Sequence, residues 1–100
     1  MEIKKSTEGN SVLLELKGRL DTITSSQLEV ELEDVFTEED VNLTFDFSAL
    51  DYISSSGLRV LLSAQKKINA LGTSMKIIGA NEVVKEIFDA TGFTKIMDLS

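Results

Sequence analysis

The sequence predicts an α/β fold: a mixed sheet of four to five strands, opened by an antiparallel hairpin and continued by parallel strands, with helices mainly on one face. Three observations carry this expectation. Val12, Leu14 and Leu16, and later Val41, Leu43, Phe45 and Phe47, alternate with other residues at a period of two. From residue 21 onward, strand-like runs alternate with segments whose apolar residues recur at helical spacing, which is the signature of right-handed strand–helix–strand units with parallel neighbours. The run at Val41 also has one apolar and one polar face, where a strand covered by helices on both sides would be apolar throughout. With 100 residues and 42% hydrophobic content, the chain is expected to form a single domain, residues 1–100.

Residues Glu2 to Ser6 read as a short edge strand, Thr7-Glu8-Gly9-Asn10 as a turn, and Val12 to Lys17 as a second strand with one wholly apolar face, so the first two strands form a hairpin. Gly18-Arg19-Leu20-Asp21 carries the chain out of it. Thr24-Ser25-Ser26-Gln27 matches a capping box that starts a helix, with Ile23 and Leu28 placed to form a hydrophobic staple. That helix runs to about Phe36, its apolar face made of Leu28, Leu32, Val35 and Phe36. Glu29, Glu31, Glu33 and Asp34, followed by Glu38, Glu39 and Asp40, read as a solvated face or as a field that steers a basic partner.

The third strand spans Val41 to Phe47, and the following helix about Ser56 to Leu71. Leu58, Leu61, Leu62, Gln65, Ile68 and Leu71 form that helix's core stripe, Arg59, Ser63, Lys66 and Lys67 face water, and Gly72 stops it. Met75 to Gly79 is a short strand. Ala80 or Asn81 opens a helix that runs to about Ala90 on an apolar face of Val83, Val84, Ile87 and Phe88. Thr91-Gly92 ends it, and Phe93 to Met97 can add a last edge strand.

Composition narrows the function. There is no His and no Cys, which removes the usual general base, thiol nucleophile and zinc ligands and predicts a protein that is not an enzyme and needs no cofactor or metal. The net charge of −7 argues against nucleic acid as a partner, since phosphate binding needs a basic footprint. Nothing in the sequence reads as a signal core or a bilayer-spanning run, so direct membrane insertion is not expected and a cytoplasmic location is.

Between the third strand and its helix lie Ser54, Ser55 and Ser56, followed by Gly57. Free backbone N–H groups and the positive end of a helix dipole gather at such a turn, so its hydroxyls can serve as an N-cap or as a place to carry phosphate. A cap needs one hydroxyl and this turn has three. The turn faintly resembles a nucleophile elbow, but it lacks the Gly-x-Ser-x-Gly pattern and a His base. Gly57 reads either as a weak point in the helix or as a gap through which another protein reaches the hydroxyls. Asp21 and Asp46 read as turn or strand-end residues.

Three stretches resemble the STAS domains of bacterial anti-sigma factor antagonists. Gly18-Arg19-Leu20-Asp21 is similar to the family's Gly-x-Leu/Ile-Asp, and Phe45 through Leu58 is similar to its central strand and phosphorylation turn. Gly72 through Ile96 is similar to its closing segment, with Phe88, Thr91-Gly92-Phe93 and Ile96 in place. The resemblance covers nearly the whole chain and implies a STAS-like fold. It also implies a phosphorylation-controlled antagonist that binds an anti-sigma factor of the serine protein kinase type, frees a sigma factor, and is restored by a serine phosphatase. Alignment on Gly57 places the family's phosphate acceptor at Ser55, with Ser54 standing where the family commonly has Asp. Asp21, Ser54, Ser56 and Gly57 are then candidates for partner binding. The Ser54 departure motivates an alternative, a STAS scaffold that is never phosphorylated, for example an accessory subunit of a membrane transporter.

Overall fold

The structure is a computed structural model that describes residues 1–99. Its order is β1 (Glu2–Glu8), β2 (Ser11–Leu20), α1 (Thr22–Val35), β3 (Asn42–Ile53), α2 (Ser55–Leu71), β4 (Met75–Ile78), α3 (Glu82–Thr91), a 3₁₀ turn (Phe93–Lys95) and β5 (Asp98–Leu99). The five strands form one sheet in chain order, β1 antiparallel to β2 and every later pair parallel. A sheet that always grows in one direction through right-handed crossovers must put its crossover helices on one side. The mixed sheet with helices on one face, expected from the sequence, is what is found.

The strand pattern shows which side is covered. Val12, Leu14 and Leu16 of β2 and Leu43, Phe45 and Phe47 of β3 are buried on the helix side, while Leu13, Glu15, Thr44 and Asp46 between them are only half-buried. Helix α1 packs on β2 and on α2, and α3 packs on β3. Rings line up beneath α3: Phe47 to Phe88 at 6.4 Å between centroids and Phe88 to Phe93 at 6.3 Å, both near parallel. On the helix side of the edge strand, Lys5 reaches Asp34 and Glu31 of α1, so the acidic face of α1 is partly answered from within the molecule.

Several expectations are corrected. Helix α1 begins at Thr22, and its cap is Asp21, not Thr24: the Asp21 carboxylate accepts from the backbone N–H groups of Ile23 and Thr24, and the Thr24 hydroxyl accepts from the Asp21 N–H. Asp21-x-x-Thr24 is therefore the capping box, and Gln27 instead donates to the Met1 carbonyl. Ile23 then lies inside the helix on its outer face, 83% exposed, and forms no staple. Strand β3 runs on to Ile53, beyond Phe47, because two register shifts against β2 absorb extra residues and reset the inward phase to Leu50 and Ile53.

The last strand is Asp98–Leu99, since Phe93 to Lys95 turn as a 3₁₀ segment that seats Phe93 on Phe88. In α3, Val83 is exposed while Val84 and Phe88 fill the core. Helix α2 buries Leu58, Leu61, Gln65 and Ile68 of its predicted stripe, leaves Leu62 and Leu71 half-buried, and buries Val60 and Ala64 as well, because it meets α1 on one flank and the sheet on another.

Candidate functional site

The carboxyl ends of β2 and β3 lie side by side and deliver the chain into the first turns of α1 and α2. The Ser54 N–H donates to the Leu20 carbonyl at 2.8 Å, which ties the serine turn to the end of β2. Arg19 and Tyr52, register partners on these two strands, stack with the guanidinium 4.6 Å from the ring centroid.

The three serines have three different environments. Ser54 is the N-cap of α2: its backbone is extended, its hydroxyl accepts from the Gly57 N–H at 3.2 Å, and its carbonyl accepts from the Leu58 N–H. A neutral hydroxyl thus does the capping that a carboxylate could do at the same place. Ser55 is the first helical residue and exposed, and its hydroxyl makes no hydrogen bond with any described residue. Ser56 is half-buried, its hydroxyl 3.4 Å from that of Thr22 at the start of α1, so the two helix N-termini meet through these two side chains.

Gly57 does not open a path to Ser55. It is buried, and a Cβ there would lie 2.7 Å from Leu20 Cγ and 2.9 Å from Ile53 Cγ1. Only a residue without a side chain lets α2 sit this close to the ends of β2 and β3. Asp21 is likewise committed locally: the backbone N–H of Thr24, its hydroxyl and the N–H of Ile23, with the Arg19 charge added, hold its carboxyl below the ordinary value of 3.8. Of the sequence candidates, Ser54, Ser55, Ser56 and Gly57 are contiguous, and Asp21 stands one residue before the Thr22 that touches Ser56.

Sequence reading passed over Thr22, the outward Ile23 and the Arg19–Tyr52 stack. The first two follow once Asp21 is taken as the cap. The stack depends on the two shifts in β3 that bring Tyr52 opposite Arg19, and no local pattern announces these.

Beside this turn a groove of about 350 Å³ runs between α1 and α2. Leu32, Phe36, Val60 and Ala64 contribute its apolar surface, while Glu29 and Glu33 come from α1 and Arg59 and Lys67 from α2. No helix among the described residues is long and apolar enough to cross a membrane.

The model of the STAS domain family matches residues 2–100. BtrV of Bordetella bronchiseptica, provisionally named an anti-sigma factor antagonist, is 31% identical over 85 residues, which cover 85% of this chain and 73% of the relative. The anti-sigma F factor antagonist of Paenibacillus polymyxa is 26% identical over 100 residues, covering 99% of this chain and 86% of the relative. Among solved structures, unphosphorylated SpoIIAA, an anti-sigma factor antagonist, superposes with a TM-score of 0.85 at 18% identity, over 99% of this chain and 88% of that one. The Bacillus cell fate determinant SpoIIAA in its phosphorylated form gives 0.78 at 17% identity, over 99% and 91%. At that identity the likeness to the two structures is one of fold.

Proposed function

Because the chain belongs to the STAS domain family, we propose that it is an anti-sigma factor antagonist of the cytoplasm, switched by phosphorylation of Ser55. In the unmodified state the serine turn and the adjoining first turn of α1 bind an anti-sigma factor of the serine kinase type, and a sigma factor is released. The observation that carries the reading is the condition of Ser55, an exposed hydroxyl without a partner among the described residues, flanked by one serine spent on the cap and another on Thr22. The names of the relatives support the choice of partner.

In the transfer itself, Ser55 Oγ attacks the γ-phosphorus of ATP held by the kinase. The Oγ–P bond forms as the bond from that phosphorus to the β–γ bridging oxygen breaks, ADP leaves, and the hydroxyl proton passes to a base of the kinase. A serine phosphatase returns the hydroxyl. The product carries roughly −1.5 to −2 charges at the start of a helix. The dipole favours an anion there by about 0.3–1 kcal/mol, so the fold tolerates the modification. A partner surface packed against a hydroxyl does not. Desolvating the dianion costs several kcal/mol, equivalent to a loss of about a hundredfold or more in affinity.

The test is capture of partners by the unmodified protein, followed by incubation of the captured kinase with ATP and mass spectrometry of wild type and Ser55→Ala. Phosphate on Ser55 of wild type and none on the variant is the expected result. Capture of a transporter subunit with no phosphate on any serine would replace this reading with that of an unphosphorylated scaffold.

A further inference from the structure

The phosphate acceptor and the next exposed cation on its helix are one turn apart. Ser55 and Arg59 stand at positions i and i+4 of α2, and both are exposed. Residues at this spacing are neighbours on a helix surface, and side chains lean toward the helix N-terminus, so a long side chain at 59 is within reach of residue 55. The order also has the favourable sense, with the anion to be on the N-terminal side and the cation on the C-terminal side.

Arg59 has no hydrogen bond or ion pair with any described residue, although Glu29 and Glu33 border the same groove. Lys5, by contrast, is already held by Asp34 and Glu31, and the Arg19 guanidinium lies over the Tyr52 ring.

We propose that Arg59 is the intramolecular receptor of the phosphate on Ser55: modification creates a phosphoserine–arginine pair along the first turn of α2 and draws the guanidinium away from the groove between α1 and α2. This rests on Ser55 being the acceptor. A guanidinium can meet two phosphate oxygens at once, and the phosphate's greater negative charge makes such a pair stronger than a carboxylate one. Phosphorylation then has two effects on the surface. It places a dianion at the serine turn, and it removes a positive charge from a groove that keeps Glu29 and Glu33. The modified state becomes a fixed arrangement of charges, with the phosphate held against the helix.

The test installs phosphoserine at position 55 by genetic encoding, so that it is independent of any kinase, in the full chain carrying Arg59, Arg59→Lys or Arg59→Gln. The second phosphate ionisation, near 6 when free, is read by phosphorus NMR. A pair at this spacing lowers it by roughly 0.15–0.4 of a pH unit in the Arg59 protein relative to Arg59→Gln. The Lys variant falls between them.

The charged groups on the packed elements, Asp21 at the cap of α1, Glu29 and Glu33 on that helix, Arg19 and Asp51 on the strands and Lys67 on α2, are the same in all three proteins and cancel in the difference. In the same samples, phosphorylation raises the melting midpoint by about 1–3 °C more with Arg59 than with Gln. Equal ionisation in all three proteins, with equal midpoint shifts, overturns the proposal. Because the phosphate is installed, that outcome leaves the identity of the kinase's target untouched. Failure of a kinase to modify Ser55 would in turn leave the pair measurable.

Discussion

In a Gly57→Ala variant the added methyl would stand 2.7 Å from Leu20 Cγ, 2.9 Å from Ile53 Cγ1 and 3.0 Å from Leu20 Cδ2. Leu20 and Ile53 are themselves buried at 0% and 1% exposure, so neither has open space to move into. Forcing a methyl into such a place costs typically about 1–3 kcal/mol. Alanine returns at most about 1 kcal/mol of helix propensity, less near a helix end. The expected net is a loss of about 1–2 kcal/mol, or a fall of about 5–15 °C in the melting midpoint of a domain this size. Urea titration followed by circular dichroism measures it, and the slope with denaturant should stay that of wild type. A surface glycine at the start of a helix would behave in the opposite way, and alanine there would stabilise. A variant as stable as wild type, or more so, would refute the argument that Gly57 exists to let α2 close onto β2 and β3.

Three further outcomes follow from individual contacts. Ser54→Ala removes the hydroxyl that accepts from the Gly57 N–H and should lower unfolding free energy by about 1 kcal/mol, with Ser54→Asp keeping the cap and most of the stability. Phe88→Ala empties a fully buried position between Phe47 and Phe93 and should cost about 3–5 kcal/mol, a large share of a domain's stability, as read by urea titration. The Asp21 carboxyl titrates below its ordinary 3.8, so its contribution is present above that value and is lost as pH falls through the lower, folded value. The stability gap between wild type and Asp21→Asn should therefore narrow on acidification from about pH 7 to about pH 3, and a gap that widens would contradict the cap's charge dependence.

Much of this fold was legible because burial leaves a period in the sequence. Leu14, Leu16, Phe45 and Phe47 alternate cleanly, and Leu58, Leu61, Gln65 and Ile68 recur at helical spacing, so the elements and the one-sided sheet could be read directly. The start of α1 was less legible, because Asp21 and Thr24 can each cap a helix and they are partners in one box, three residues apart. The end of β3 was hidden for a different reason. Its register shifts turn the inward spacing into Phe47, Leu50 and Ile53, a period that no unbroken strand would show.

At the site, the family resemblance selects Ser55, and the local geometry separates the three hydroxyls by their partners. The Gly57 reading needs coordinates, since a glycine on a buried face and a glycine on an open one are the same letter. Arg59 reads in the sequence as a cation facing water, and the role proposed for it comes only from its distance along the helix to the proposed acceptor, Ser55.

The most direct measurement is the affinity of the anti-sigma factor for the unmodified protein and for the same protein with phosphoserine at position 55, by titration calorimetry at one salt concentration. The account predicts tight binding of the unmodified form, a loss of about a hundredfold or more on phosphorylation, and an unfolding midpoint that does not fall. Equal affinity of the two forms would contradict the switch at Ser55.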